Sequence, residues 1–445
     1  MTIKRFQFNG ADRLMLAIDY QLRKCRCAGN NGVIALYLDR AVDMEVLKSR
    51  ASDLVRNAPV ICAPLKRQRL TGLPRWEAHQ SPGRLPVITR LEGEGEADVV
   101  RAVRNALNRP LNPPAGDNLR FDLLSLPGNR QVIIMTWAHM LMDAHGAETL
   151  LALLGSADQV PWPSASESGR FAGCYSLRLR TETDKTTLKR YVNKSFAHID
   201  ACAQRLPQSL FSLRRAAVKP GFDYTLEVFT ADETRRIRAG ARRFGLFKES
   251  AYYTGAAMHA LHRLYAAQGI TPPSYVAIVT SDVRKKGTHL PLFSNQAASV
   301  MYQFLPRDCE DIESAMEAFA AQTKSFVRDD MFNASLALAE YTRYVPDWFY
   351  IKKMQQAFKG EFASAVIAYT GDPVSQLVSF LGSNIERLYH VPAVLTGPGF
   401  GIFFSAYARA LCITLVHADG LLSADEVLSL RTCLRALLLR ETNTA

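Results

Sequence analysis

Trp137-Ala-His139-Met-Leu-Met-Asp143-Ala-His-Gly146 is the stretch that decides the fold of this chain. It follows an apolar run, residues 132–137, that is typical of a buried β-strand, and it precedes residues 147–154, which have the pattern of a helix start. A core strand would hold His139 rigidly while its ring faces a cleft. Asp143, four residues on, is close enough to order the loop that presents the ring. Because a neutral imidazole titrates near working pH, this arrangement suits a positioned general base.

Two other interpretations of the His139–Asp143 pair are open. A histidine beside a core strand is often only a buried polar group with its hydrogen bonds satisfied. The pair could also supply two metal ligands, but a metal site needs a third and a fourth. No Cys, Glu or His cluster at ligand spacing lies nearby, and His145 is six positions from His139. We therefore expect no metal.

The rest of the chain alternates predicted strands and helices. Strands are predicted at 33–38, 86–89, 121–125, 224–229, 275–280, 300–304, 393–399 and 410–416, and helices at 12–19, 44–55, 97–107, 249–264 and 421–439. Gly155 to Gly169 is the best linker candidate. The second half repeats the strand and helix order of the first half. With 445 residues, the chain fits two α/β units, which we place at residues 1–165 and 166–445.

The histidine motif resembles the His-x-x-x-Asp-Gly region of the chloramphenicol acetyltransferase-like superfamily. That superfamily includes nonribosomal peptide condensation domains, BAHD-type plant acyltransferases, wax-ester synthases and polyketide-associated acyltransferases. The chain departs from the pattern at Ala138, where many members have a second histidine. It departs again at Gly146, which follows Asp143 by three positions and not directly. The resemblance extends from about residue 8 to residue 440 through the order and spacing of the elements. It implies an α/β (α+β) fold of two similar subdomains, mixed sheets flanked by helices, with an active-site tunnel between them.

A second group of residues follows the strand at 275–280. The order Ser281-Asp-Val-Arg284-Lys285-Lys286, then a loop to Asn295, resembles the superfamily's Asp-x-Arg and Asn segment. The resemblance implies that Arg284 pairs with Asp143, which would make Asp143 an organiser of the loop. Pairing would also remove the cost of a buried carboxylate. Lys285 and Lys286 could contact the phosphate of CoA or of pantetheine, or could form a solvated basic turn.

Near the C-terminus, Phe380-Leu-Gly-Ser383-Asn384-Ile resembles a short segment that lies near the cleft in several relatives. Ser383 and Asn384 are therefore candidate oxyanion donors or cleft residues, together with the ring N–H of His139 after proton transfer. The chain has no Gly-x-Ser-x-Gly nucleophile elbow, so no acyl-enzyme is implied.

Composition and charge exclude other classes. The chain is 48% hydrophobic and 22% charged, as in a soluble globular protein. Its net charge is +12, but residues 151–300 hold 21 basic against 11 acidic side chains, whereas residues 301–350 hold 4 against 9. This uneven distribution, without a nucleic-acid-binding motif, predicts no nucleic-acid partner. The basic middle third could attract nucleotide phosphates or an acidic carrier protein, or could be a solvated surface.

Targeting signals and cysteine pairs are not evident. The first ten residues lack the apolar core of a signal peptide, and the apolar stretch 391–416 is broken by prolines and glycines. The eight cysteines are scattered without a Cys-x-x-Cys. We expect a cytoplasmic protein without a transmembrane segment, and a monomer, because one chain can hold both halves of the tunnel.

Together these features predict an acyltransferase in which His139 is the general base. It would move an acyl group from acyl-CoA or a carrier-protein phosphopantetheine thioester, used as co-substrate and not as bound cofactor, to an alcohol or amine acceptor. One alternative is a catalytically weakened, condensation-like module that binds carrier-tethered intermediates. Another is an unrelated α/β protein in which the motif is accidental.

Overall fold

The computed structural model describes residues 3–79, 84–156, 185–243, 248–284, 292–371 and 377–440. Alternating strands and helices fill the first part of the chain. The strands are β1 (Ile3–Gln7), β2 (Asn31–Leu38), β3 (Leu65–Arg67), β4 (Pro74–His79), β5 (Val87–Glu92), β6 (Leu119–Leu126) and β7 (Arg130–Ala138). The helices are α1 (Gly10–Lys24), α2 (Met44–Asn57), α3 (Glu96–Asn108) and α4 (Ala144–Gly155).

The second part of the chain has a similar alternation. Its strands are β8 (Phe222–Val228), β9 (Tyr275–Asp282), β10 (Ala297–Phe304), β11 (Ala365–Tyr369), β12 (Ser379–Phe380), β13 (Ser383–Pro392), β14 (Phe400–Tyr407) and β15 (Ala410–Ala418). Its helices are α5 (Lys185–Gln204), α6 (Leu210–Leu213), α7 (Ala231–Arg242), α8 (Lys248–Ala266), α9 (Ile312–Arg328), α10 (Met331–Thr342), α11 (Asp347–Ala357) and α12 (Ala424–Leu439).

Two six-stranded mixed sheets carry the fold. One has the order β12-β13-β2-β7-β6-β5 and the other the order β10-β9-β11-β14-β15-β8, and a small third sheet is β1-β4-β3. In the first sheet β2 and β7 pair antiparallel from Asn31 opposite Ala138 to Leu38 opposite Gln131. Every residue of β2 is buried, which explains why residues 33–38 are an unbroken apolar run and not an alternating one. The α/β architecture and the mixed sheets predicted from the sequence are confirmed.

The path of the chain differs from the predicted division in one respect. Strand β13 pairs antiparallel with β2, from Ile385 opposite Leu38 to Pro392 opposite Gly32. Residues 379–392 therefore complete the first sheet, although the predicted second subdomain, 166–445, contains them. The predicted boundary at 165–166, and most of the predicted linker 155–169, lie outside the described residues.

One predicted strand was wrong. Residues 393–399 form a loop between β13 and β14, and the strand begins only at Phe400. Gly397 and Gly399 have φ angles of 77° and 65°, in the left-handed region that an extended strand excludes. Among the described residues, no helix is both long and apolar enough to cross a membrane.

Candidate active site

The turn that presents His139 is fixed by its own backbone and by one indole. The His139 N–H donates to the Asn30 carbonyl at 2.9 Å, and the Leu141 N–H donates to the Ala138 carbonyl at 2.8 Å. The Trp137 indole N–H reaches the Met142 carbonyl at 2.9 Å. A strand end, a tight turn and a buried indole therefore hold the ring in place, while the His139 side chain keeps part of its surface on a cavity.

Asn295 fixes the tautomer of His139. The Asn295 side-chain amide donates to the His139 carbonyl at 2.9 Å and to the Asp12 carboxylate at 2.9 Å. Because only the NH₂ group can make those two bonds, the amide oxygen faces His139 Nδ1, at 3.1 Å. An amide oxygen only accepts, so Nδ1 carries the hydrogen and Nε2 keeps the lone pair of a base. Burial lowers the pKa of His139, although Asp143 and Asn295 oppose this, so the neutral ring is the stable form.

Asp12 supports this arrangement from α1, and the sequence analysis did not identify it as a site residue. Its carboxylate accepts the Asn295 main-chain N–H at 2.7 Å, and it also closes a capping box with Asn9. Burial raises the pKa of Asp12 to about 7, and the nearby negative charge of Asp143 acts in the same direction. The hydrogen bonds from Asn295 and Asn9 lower the pKa but do not outweigh burial. An acid in the first turn of a helix looks like a cap in the sequence, and only the fold connects it to His139.

Asp143 organises the loop that follows His139. Among the described residues, no hydrogen bond joins its carboxylate to the His139 ring. One carboxylate oxygen accepts from Arg284 at 2.9 Å and from the Gly146 N–H at 2.9 Å, and the other accepts the Gln296 N–H at 2.8 Å. Burial alone would raise the pKa of Asp143, but the Arg284 charge and these donors outweigh it and lower the pKa. The structure thus places Arg284 against Asp143, as the resemblance implies, and adds Gln296.

Gly146 lies where no side chain fits. A Cβ atom at this position would stand 2.6 Å from the Leu292 carbonyl oxygen, which is main chain and cannot rotate away. Gly146 is also the third residue of α4, so its N–H meets the Asp143 N-cap. The spacing of three residues therefore places the Gly146 N–H where the Asp143 carboxylate can cap α4.

Two predicted cleft residues lie elsewhere. Ser383 and Asn384 begin β13, and neither is among the described residues that line the cavity. Asn384 donates to Asp39 at 2.7 Å at the exposed end of strands β2 and β13, because β13 pairs with β2 there. The expectation that Ser383 or Asn384 donates to an oxyanion was wrong. Lys285 and Lys286, the predicted phosphate contacts, lie outside the described residues.

His139 lies on the wall of a cavity of about 380 Å³. The wall is largely apolar and is formed by α1, the end of β7, the start of α4, strands β9, β10, β11, β13 and β14, and helices α5 and α10. Ile278, Val300, Val394 and Phe403 are among its apolar members. Within the described residues, no three Cys, His, Asp or Glu side chains cluster as metal ligands would. The cavity can hold a molecule with a large apolar part beside a neutral imidazole.

Comparisons with known proteins identify the fold and not the family. No family model and no curated sequence matches the chain. Among solved structures, a trichothecene 15-O-acetyltransferase from Fusarium sporotrichioides is 13% identical, with a TM-score of 0.70 over 98% of this chain and 95% of that one. The first condensation domain of the calcium-dependent antibiotic synthetase is 14% identical, with a TM-score of 0.67 over 98% and 96%.

A third solved structure, the wax ester synthase/diacylglycerol acyltransferase from Marinobacter aquaeolei, is 14% identical, with a TM-score of 0.59 over 98% of this chain and 99% of that one. The chain therefore has the fold of condensation domains and chloramphenicol acetyltransferase-like acyltransferases, matched over 98% of its length. The fold inferred from the His139–Asp143 stretch is confirmed.

Proposed function

We propose that this protein is an acyltransferase that moves an acyl group from a thioester to an alcohol or amine, with His139 as general base. The observation that carries the proposal is the hydrogen bond between His139 Nδ1 and the Asn295 amide oxygen, which leaves Nε2 as the base on a ring that lines a largely apolar cavity. The fold shared with acyltransferases and condensation domains supports it.

In the proposed reaction His139 Nε2 takes the proton of the acceptor O–H or N–H as the acceptor attacks the thioester carbonyl. A new C–O or C–N bond forms, and the carbonyl π electrons move onto oxygen. The tetrahedral intermediate then collapses, the C–S bond breaks, and the sulfur takes the proton back from Nε2. A base placed in this way supplies about 10²–10⁴-fold in rate. The thioester is already activated, so no enzyme nucleophile is needed.

The proposal gives Asp143 no proton to carry. Its carboxylate is already occupied by Arg284, Gln296 and Gly146, so its work is to hold the turn after His139. Ser383 and Asn384 lie away from the cavity, so we assign the role of oxyanion donor to the Nε2–H that forms on His139 during the reaction.

The donor is an acyl-CoA or an acyl group on a carrier-protein phosphopantetheine, acting as co-substrate. The apolar wall of the cavity favours a lipophilic group on one of the two substrates. Both donors present the same thioester to His139, so the proposal treats them as one chemistry.

The experiment is a screen for thiol release from acyl-CoAs and from acyl-phosphopantetheinyl carrier proteins, each with mixed alcohols and amines. Acylated products are identified by mass spectrometry. The proposal expects an ester or amide product from wild type and none above background from His139→Ala. A product formed equally by both proteins would overturn it. His79→Ala is the matched control, because His79 is exposed on β4.

A further inference from the structure

Four aromatic side chains are exposed together where α10 ends and α11 begins. We call this surface the aromatic corner, and the exposed fractions of its members are 57% for Tyr341, 57% for Tyr344, 56% for Trp348 and 39% for Phe349. The rings of Trp348 and Phe349 meet edge to face, with 5.7 Å between their centroids. Single exposed apolar residues are ordinary on a protein surface, but large aromatic groups clustered in one short segment mark a contact site.

The backbone of the aromatic corner is tied to α1. The Arg13 guanidinium donates to the Arg343 carbonyl at 3.2 Å and to the Val345 carbonyl at 2.9 Å. The Phe349 N–H donates to the Pro346 carbonyl at 3.1 Å, which closes the turn into α11. The aromatic side chains are therefore presented on a turn that the body of the protein supports.

Basic residues accompany the aromatic corner. Lys352 and Lys353 are exposed on the following turn of α11, and the Lys353 Nζ atom lies 5.5 Å from the centre of the Phe349 ring. From residue 341 to residue 353 the sequence has three basic residues and one acidic residue. Tryptophan, tyrosine and phenylalanine beside lysines are typical of a surface that contacts the anionic headgroups and the upper acyl chains of a bilayer.

Helix α11 also borders the cavity. Ile351 lines the cavity and lies three positions after Trp348, so the two side chains are neighbours on the surface of the helix. Gly360, shortly after the end of α11, lines the cavity and is exposed, so the cavity reaches solvent there. The helix therefore runs from the aromatic corner to an opening of the largely apolar cavity.

A second copy of the chain fits the aromatic corner less well than an anionic bilayer does. Two copies that meet through the same surface would be related by a two-fold axis, which brings Lys352 and Lys353 of one copy towards those of the other. Like charges that face each other across an interface are unfavourable. An anionic bilayer attracts these lysines, and it also attracts the chain as a whole, whose net charge is +12.

We propose that the aromatic corner docks the protein on the surface of an anionic lipid bilayer. Trp348 and Phe349 enter the boundary between headgroups and acyl chains. Lys352 and Lys353 bind the lipid phosphates. Helix α11 has 11 residues, too few to span a bilayer, so it lies on the surface. The docking does not depend on acyl transfer by His139. Where acyl transfer holds, docking brings the opening of the cavity to a lipophilic substrate dissolved in the bilayer.

Co-sedimentation of the whole chain with lipid vesicles measures the docking. One set of vesicles contains equal parts of phosphatidylcholine and phosphatidylglycerol, and the other contains phosphatidylcholine alone. We expect wild type to bind the mixed vesicles more tightly than the neutral ones. Failure to bind the mixed vesicles would overturn the proposal.

Two double variants identify the residues that bind the vesicles. Lys352→Ser/Lys353→Ser should bind the mixed vesicles about 30-fold more weakly, because each lysine near an anionic surface contributes about fivefold to the affinity. Trp348→Ser/Phe349→Ser should bind at least about tenfold more weakly, because the two aromatic side chains no longer leave water. Wild-type binding by either variant would contradict the proposal.

Matched controls separate docking at the aromatic corner from general attraction to the vesicles. Arg242→Ser/Arg243→Ser removes the same charge from exposed positions at the end of α7. Val46→Ser/Leu428→Ser removes two exposed apolar side chains from α2 and α12. Circular dichroism must show that each variant is folded, and both controls should bind nearly as tightly as wild type. Equal losses in the controls would show diffuse attraction and overturn the proposal.

Brominated lipids locate the side chain that enters the bilayer. Trp76 and Trp137 are buried, so Trp348 is the exposed tryptophan among the described residues. Brominated phosphatidylcholine in the mixed vesicles should quench the fluorescence of wild type. Trp348→Phe should still bind but lose most of that quenching, and unchanged quenching would place another surface on the bilayer. A dimer that Trp348→Ser/Phe349→Ser breaks, without vesicle binding by wild type, would assign the aromatic corner to a second copy.

Discussion

The carboxylate of Asp143 lies 2.9 Å from the guanidinium of Arg284, a residue 141 positions further along the chain. The two side chains are 10% and 2% exposed. This pair joins the turn that follows β7 of the first sheet to the segment that follows β9 of the second sheet, directly beside His139. The same carboxylate caps α4. One acid thus holds together the start of a helix, the turn and the contact between the sheets.

Loss of Arg284 should be costly, because it leaves the Asp143 carboxylate buried without its cation. We expect Arg284→Met to lower the free energy of unfolding by about 3–5 kcal/mol. The matched control is Arg56→Met, because Arg56 and its partner Asp53 form an ion pair at the exposed surface. This substitution should lower the free energy of unfolding by only about 0–1 kcal/mol. Chemical denaturation of both variants measures this. Equal losses would show that the Asp143–Arg284 pair contributes no more than a surface ion pair.

The buried Asp12 should make stability fall with rising pH. Its folded pKa is about 7 against an ordinary 3.8, so between these values the folded state binds more protons than the unfolded state. The contribution of Asp12 to the free energy of unfolding is therefore greatest below pH 4. It is lost as the pH rises towards 7, by an amount on the order of 4 kcal/mol. Thermal midpoints from pH 4 to pH 8 should show this decline in wild type relative to Asp12→Asn. Parallel pH profiles for the two proteins would refute it.

Activity should be lost in acid at a midpoint below pH 6.5. A general base must be unprotonated, and burial lowers the pKa of His139 from 6.5. The acid limb of kcat/KM, which reports the free enzyme, is the quantity to measure. Asn295 opposes the downward shift of the His139 pKa, so the limb of Asn295→Leu should move further down. An acid limb centred above pH 6.5 would be incompatible with a buried neutral base.

Asn295 should matter for rate more than for substrate affinity, because it fixes the ring and tautomer of His139. Asn295→Leu should lower kcat by about 10²-fold, the order of loss that small misplacement of a catalytic group causes. Asn384→Ala is the matched control and should be as active as wild type, since Asn384 bonds to Asp39 at an exposed strand end and does not line the cavity. The KM for the thioester should change little in either variant. Full activity of Asn295→Leu would mean that the ring needs no such support.

Gly146 should not tolerate even a methyl group. A Cβ there meets the Leu292 carbonyl at 2.6 Å, so Gly146→Ala must displace α4 or the loop before Asn295. We expect a lower thermal midpoint and lower activity together. Gly95→Ala is the control, because a Cβ at Gly95 meets nothing within 4 Å. Similar thermal midpoints for the two alanine variants would contradict the tight approach at Gly146.

The sequence allowed the local part of the site to be predicted. The apolar run of β7, His139, Asp143 and Gly146 are consecutive, so strand, turn and helix start can be inferred from one window. Arg284 was placed on Asp143 through the resemblance and through the cost of a buried unpaired carboxylate. These inferences depend only on residues close together in the sequence, or on the rule that a buried carboxylate needs a positively charged partner.

The remainder of the site depends on long-range packing. Asp12 meets Asn295 across 283 positions, and His390 and Glu148, which both line the cavity, meet across 242. In the sequence, Asp12 has the spacing of a helix cap and His390 lies in an apolar strand, so neither pattern indicates a cavity.

Two predictions failed where the chain changes direction. Ser383 and Asn384 were expected at the cleft, but β13 pairs with β2 and places them at the strand end beside Asp39, away from the cavity. The segment 393–399 was expected as a strand because it is apolar. Gly397 and Gly399 adopt left-handed backbone angles, which an extended strand excludes, so the segment forms a loop. In both cases the pairing partner and the backbone angles determined the structure, and residue type alone did not.

The most direct test of the central claim is the ratio of kcat/KM for acyl transfer between wild type and His139→Ala, with the donor and acceptor that the screen identifies. Circular dichroism must show that the variant is folded, and His79→Ala must be as active as wild type. If His139 is the general base, the ratio will be about 10²–10⁴. A ratio near one would contradict the account and leave His139 as a buried structural histidine.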